Sequence, residues 1–154
     1  MHDSNKVANR LLELATENGD TLTPMQLLKL VYICHGWMLG LYGVPLINDS
    51  VQAWKYGPVI PRLYNSVRAF RDQPVSARLT ESDRNDVFLD IEDQVIRQTY
   101  SIYGQMSGPA LSRLTHQDGT PWEQTFEPGV YGLVISNDLI EDHYSMLANK
   151  HDPS

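Results

Sequence analysis

Cysteine is almost missing from this sequence, with Cys34 alone among 154 residues. One thiol closes no internal disulfide and builds no framework of sulfur ligands, which points to a reducing compartment. Long apolar runs are missing too. The most apolar region, Leu27 to Tyr42, is interrupted by Lys29, His35 and two glycines, and it falls short of the ~20 predominantly apolar residues of a membrane span. The opening MHDSNKVANRLLELA has an early acid and no uninterrupted apolar stretch, so it does not read as a secretory signal. Bases are in the minority, twelve against nineteen acids, for a net charge of −7. Such a field disfavours non-specific contact with phosphate backbones and speeds encounter with a basic partner. These absences lead to the expectation of a soluble, cytoplasmic protein, with no membrane association and with nucleic acid disfavoured as a partner.

What is present is ordinary for a globular chain: 42% hydrophobic and 20% charged residues. A chain of this length buries roughly 70% of its unfolded surface and folds without staples. One domain over residues 1–150 is expected, with 151–154 a frayed tail. The periodicity predicts a mainly α fold, about six helices around a central buried helix, with one short β-hairpin near residues 45–56. Val7, Leu11 and Leu14 mark a first amphipathic helix over 4–18, with Ser4 as its cap and Gly19 as its stop. Thr23-Pro24 opens the second, whose residues 25–41 are apolar nearly all the way round, as befits a helix in the middle of a core. Two short extended runs about Asn48-Asp49-Ser50 give the hairpin, and Pro61 starts a helix through Tyr64, Val67 and Phe70. Residues 73–79 read as the loosest internal link. A long helix over 81–103 follows, with Val87, Ile91 and Val95 inward and Asp86, Asp90 and Asp93 outward. Short helices led by Gly108-Pro109 and Pro121 and a last helix capped by Ser136 complete the set.

The search for chemistry returns little. Cys34 and His35 are sequence neighbours, but on a helix adjacent side chains diverge by about 100° and do not meet. Both are expected as buried structural residues. His116, Asp118 and Glu123 match no metal-ligand spacing, and no phosphate-cradling glycine motif occurs. No catalytic residue, no metal site and no cofactor is therefore expected, and the protein is not expected to be an enzyme.

Two stretches stand out as rigid turns presenting aromatics, and such turns lose little entropy on association. Ala53-Trp54-Lys55-Tyr56-Gly57-Pro58-Val59-Ile60-Pro61 is the first, and Leu111 to His116 leading to Pro121-Trp122 is the second. Around the first, Lys55, Tyr56, Arg62, Tyr64, Arg68 and Arg71 form the candidate partner-binding set, because Trp, Tyr and Arg are enriched where binding energy concentrates. The same residues also fit a core of aromatics with solvated arginines, or, less well in an acidic chain, a base-stacking surface.

In these residues the sequence resembles the Panacea domain family, the group of SocA-like antitoxins and GepA-like phage-associated proteins. The matching marks are Leu27-Leu28-Lys29-Leu30-Val31-Tyr32 with His35-Gly36-Trp37, then Pro45-Leu46, then the block from Ala53 to Pro61 with Tyr64, and last Leu111-Ser112, Thr115-His116 and Pro121-Trp122. They run in the family's order, and the resemblance spans residues 7 to 147. It implies an antitoxin of a bacterial toxin–antitoxin system that neutralises the toxin of a neighbouring gene by direct protein binding. The alternative it leaves open is a prophage-type interaction module, or an adaptor delivering a toxin to a protease. Because family members face different toxins, the shared residues Lys29, Tyr32, Trp37, Trp54, Gly57, Pro58, Pro61, Thr115, His116, Pro121 and Trp122 are expected to hold the fold. The two aromatic corners are expected to pack together, with His116 bonded to nearby backbone. Trp54→Ala is then expected to lower stability by roughly 3–5 kcal/mol in a denaturant melt. A variant that melts like the native chain but loses its partner would make Trp54 an interface anchor instead.

Overall fold

The computed structural model describes residues 1–150; the tail expected to fray lies outside the described residues. The chain runs α1 (Ser4–Glu17), α2 (Pro24–Tyr42), β1 (Val51–Trp54), β2 (Gly57–Val59), α3 (Pro61–Val67), a 3-10 turn (Arg68–Phe70), α4 (Asp90–Tyr103), α5 (Gly108–Thr115), α6 (Pro121–Thr125), β3 (Leu133–Ile135) and α7 (Asn137–Lys150). The fold is mainly α with a small antiparallel sheet of order β2-β1-β3, so a seventh helix and a third strand join the six helices and the hairpin expected.

Helix α2 is the axis of the core. Thr23 accepts from the Gln26 amide and Gln26 answers to the Thr23 amide, a capping box reinforced by Pro24. At the other end Gly43 takes the left-handed conformation, φ 70°, that stops a helix. Between them Leu27, Leu30, Val31, Tyr32, Ile33, Cys34, His35 and Met38 are all buried, so α2 is covered by α1, α4, α5 and α7 in turn. Its closest neighbour is α7. Gly36 and Gly40 let Tyr144 approach so tightly that a Cβ at Gly36 would stand 2.3 Å from its ring. Ser145 also donates to the Gly40 carbonyl at 3.2 Å.

His35 ties this axis to a connection. Its Nδ1 accepts from the Leu46 amide at 3.2 Å, which leaves the proton on Nε2, 3.0 Å from Asn137 Oδ1. Burial holds this imidazole below its ordinary pKa.

Several expectations are corrected. The hairpin lies at 51–59, not 45–56. Its turn is Lys55-Tyr56, with Trp54 opposite Gly57, because Asp49 is engaged in accepting the Ser4 amide and Ile47 bridges His2 instead of a neighbouring strand. Pro58 is tolerated because β2 is an edge strand. The cap of α1 is Asp3, not Ser4. The long helix begins at Asp90, not 81, and Val87 and Leu89 are exposed. Residues 82–86 are rich in Ser, Asp and Asn, whose side chains compete for the backbone: Asp83 accepts from the Asn85 amide, and the Ser82 amide donates to Asp3. Asp86 is not on a wet face but bonds buried His2, which also meets Glu92 at 2.8 Å. Nor is the 73–79 link loose, because Asn9 donates to Leu79 O and accepts from Leu79 N, and Val75 N donates to Leu22 O.

The α2–α7 contact yields a test. Gly36→Ala is expected to lower stability by about 1–3 kcal/mol in a chemical melt, although alanine is the better helix former. Combining it with Tyr144→Leu should give a total loss smaller than the sum of the two; strict additivity would mean that the two positions do not touch.

Candidate functional site

The hairpin turn is held from two sides. From α5, Ser112 Oγ donates to Tyr56 O at 2.7 Å; from α2, Lys29 Nζ donates to Pro58 O at 2.8 Å. Gly57 sits between them at φ 123°, a conformation that favours glycine. A Cβ there would also stand 2.9 Å from Lys29 Nζ. The two aromatic corners do meet: Trp122 Nε1 donates to Trp54 O at 2.6 Å, and Trp122 stacks on Phe126 with ring centres 4.7 Å apart. His116 rests edge-on against Trp122 and its Nδ1 donates to the Ser112 carbonyl. Thr115 closes on its own helix, with Oγ1 to Leu111 O at 2.9 Å, and Pro121 is the buried first residue of α6.

This scaffold frames a groove of about 980 Å³. Its floor is the first half of α2 with Met25, Leu28 and Lys29; its walls are the hairpin, Tyr64 of α3 with Arg68 and Arg71 of the 3-10 turn and its end, and the 126–131 loop. Trp54 is half-buried in one wall, 4.9 Å from Tyr64 and 5.6 Å from Tyr131 between ring centres, with Nε1 donating to Gln52 Oε1. Tyr56 and Tyr131 are 69% and 80% exposed, so each keeps ring surface open to a partner beside its contact with Lys55 or Trp54.

Of the residues proposed for partner binding, Lys55, Tyr56, Tyr64, Arg68 and Arg71 all line this groove. Arg62 does not: it turns to Ser82 Oγ and to Asp3, 3.8 Å away. Tyr32 and Trp37 lie away from it. Tyr32 is buried, and Trp37 Nε1 donates to Tyr103 OH at 3.2 Å. Pro61 is the first residue of α3. Met25, Phe126 and Tyr131 were missed by sequence reasoning. The only local signal was an exposed tyrosine two residues after a Pro-Gly turn, and a loop declares its neighbours only once the chain is folded.

Arg71 and Lys29 are both held at an energetic disadvantage. Arg71 has φ 56°, the one non-glycine positive φ among the described residues, a conformation that costs on the order of 1–3 kcal/mol. Lys29 is 3% exposed, and no carboxylate lies within ion-pairing distance among the described residues. Burial pushes its pKa down to about 8. By contrast the Cys34 thiol, sealed in the core, is pushed up to about 12.

Lys29 therefore opposes folding at neutral pH. The unfolded chain keeps the lysine proton to higher pH than the folded chain does, so stability rises with pH between about 8 and the ordinary lysine value. The full penalty, about 3 kcal/mol, is present below that window. Returning about 1 kcal/mol for the lost bond to Pro58, Lys29→Met should be more stable than the native chain by about 2 kcal/mol at pH 7 in chemical melts. The advantage should shrink above pH 8. A variant less stable at pH 7 would show that the ammonium is not penalised where it lies.

The groove can be set beside known proteins. Residues 27–123 match the family model described as "Antitoxin SocA-like, Panacea domain". That span takes in Leu28 and Lys29 of the floor, the hairpin, α3 and α5, but neither Met25 nor the 126–131 wall. The chain is also similar to the "Antitoxin SocA" of Caulobacter vibrioides (strain NA1000 / CB15N), at 30% identity over 92% of this chain and 82% of that protein. No solved structure matches it. With the matched span carrying the buried lysine, the pinned hairpin turn and both aromatic corners, the chain belongs to the SocA-like Panacea domain family.

Proposed function

We propose that this protein is a cytoplasmic antitoxin that neutralises the toxin of a neighbouring gene by direct contact, without chemistry of its own, and that the groove is the contact surface. Membership of an antitoxin family supports the antitoxin role. The observation that carries the contact reading is the groove itself. Trp54, Tyr64, Arg68 and Arg71 line it between walls pinned by hydrogen bonds from α2 and α5. Such a surface loses little side-chain freedom when covered, and its residue types are those in which binding energy concentrates. No helix of the described residues is long and apolar enough to cross a membrane, which is compatible with a partner met in the cytoplasm.

The test is growth of cells expressing the adjacent gene with and without this protein, followed by co-purification. Growth arrest by the neighbour, rescue by this chain and co-elution of the two are expected. Tyr131→Ala, at an 80% exposed position, should melt like the native chain yet bind the toxin about 30-fold less tightly, the loss of a 2 kcal/mol hot spot. Arg62→Ala, on the far side, should bind as the native chain does. Rescue without a stable complex would favour delivery to a protease, and no toxicity from either neighbour would favour a phage-type interaction module.

A further inference from the structure

Charge divides unevenly over the molecule. The chain carries a net charge of −7, yet the groove is lined by Lys29, Lys55, Arg68 and Arg71 and, among the described residues, by no aspartate or glutamate. Asp72 and Glu127, the sequence neighbours of Arg71 and Phe126, both stay outside the lining. Elsewhere Lys6, Arg10, Arg62, Arg78 and Arg97 have carboxylate partners, whereas Arg84, Arg113 and Lys150 have none among the described residues. None of the four groove cations has one among the described residues.

Lys29 makes the case specific. An ammonium has three donors, and this one meets Pro58 O alone among the described residues while lying 3% exposed in the floor. The lining that it shares includes the apolar side chains of Met25, Leu28, Val59 and Phe126. A buried cation in apolar surroundings is satisfied best by an anion that also brings its own hydrogen-bond acceptors.

We propose that the groove receives a peptide segment of the partner that carries aspartate or glutamate beside an aromatic or large aliphatic side chain, the carboxylate going to Lys29, with Arg68 and Arg71 at the rim. This rests on the reading of the groove as a protein-binding surface and names the chemistry it selects. A carboxylate within an apolar segment suits it better than a nucleic acid does, because a polyanion must approach against the field of an acidic chain, whereas one or two carboxylates on a mainly apolar segment feel little of it. Arg68 and Arg71 are exposed and can turn their planar forks to a carboxylate without rearranging the fold.

The experiment pans a phage-displayed library of random octapeptides against the purified full chain, with the Arg68→Gln/Arg71→Gln double variant as counter-selection. Enriched peptides should share an acid flanked by aromatic or large aliphatic residues. The best of them, synthesised with a fluorescein label, should bind the native chain about 30-fold or more tighter than it binds Lys29→Met, the loss expected when one partner of a desolvated charge pair is removed. Replacing its acid by the matching amide should cost a similar factor, and the two losses together should be no larger than one alone. Melts of each variant separate loss of binding from loss of fold, and the exposed arginine pair, away from the core, gives the same reading should Lys29→Met repack the floor. The proposal is overturned by enriched peptides without acids, by no enrichment over the counter-selected variant, by equal affinity for the acid and amide peptides, or by a labelled single-stranded RNA 12-mer that binds more tightly with the same sensitivity to Lys29→Met. Co-purification with the neighbouring gene product reads the antitoxin role separately. Its failure with the peptide result intact would sink that role alone, and its success without acid-selective peptides would sink this one.

Discussion

A helix of 19 residues without a wet face can be stable in water only if other elements cover every side of it. That constraint organises the molecule. α1 and α4 cover one side of α2, α5 and the hairpin another, and α7 lies so close that Gly36 and Gly40 admit Tyr144 where any side chain would collide. His35 extends the same logic to a connection, for a buried imidazole with both nitrogens engaged fixes the path of residues 46–47 and the start of α7. The first turns of α2 then form the floor of the groove. Covering the helix and placing Lys29 beneath the hairpin are therefore one event.

What the core supplies, the groove partly consumes. A lysine buried against apolar walls and an arginine at a positive φ each oppose folding. Neither makes an ion pair that would offset the cost among the described residues. They persist because a domain with a continuous apolar core has several kcal/mol to spare at one edge. Unpaired charge and backbone strain coincide on one concave, aromatic surface, where the proposed partner segment would offset the charge.

The sequence was most informative where local rules decide the structure. Thr23-Pro24, Ser107 with Pro109, and Pro121 each open a helix where cap chemistry says they should. The all-round apolar character of α2 marked it as central. Reading failed where a distant partner decides. The Asn48-Asp49-Ser50 stretch has the residues of a turn, and only the bond from the Ser4 amide to Asp49 shows why it does not close a hairpin. Asn5 and Asn9 interrupt the buried face of α1 for no local reason; in the fold they hold residues 79–80. A strand as short as β3 has no signal apart from the strand it pairs with. The candidate site divides the same way: Lys55, Tyr56, Tyr64, Arg68 and Arg71 lie near one another in sequence, whereas the 126–131 wall reaches them only through the fold.

Net charge and local charge then speak of different ranges. An overall charge of −7 acts over distances at which two proteins first sense one another, and it favours a partner that is basic as a whole. Within a Debye length of about 8 Å at physiological ionic strength the nearest charges dominate, and the charged side chains that line the groove are all positive. The two do not conflict once they are assigned to different steps. On the proposed reading, a globally basic partner would be drawn in by the acidic body, and its acidic, aromatic segment would then be selected by the groove. A partner basic throughout would be attracted and then rejected at close range, which is how opposite fields at two distances yield discrimination that neither supplies alone.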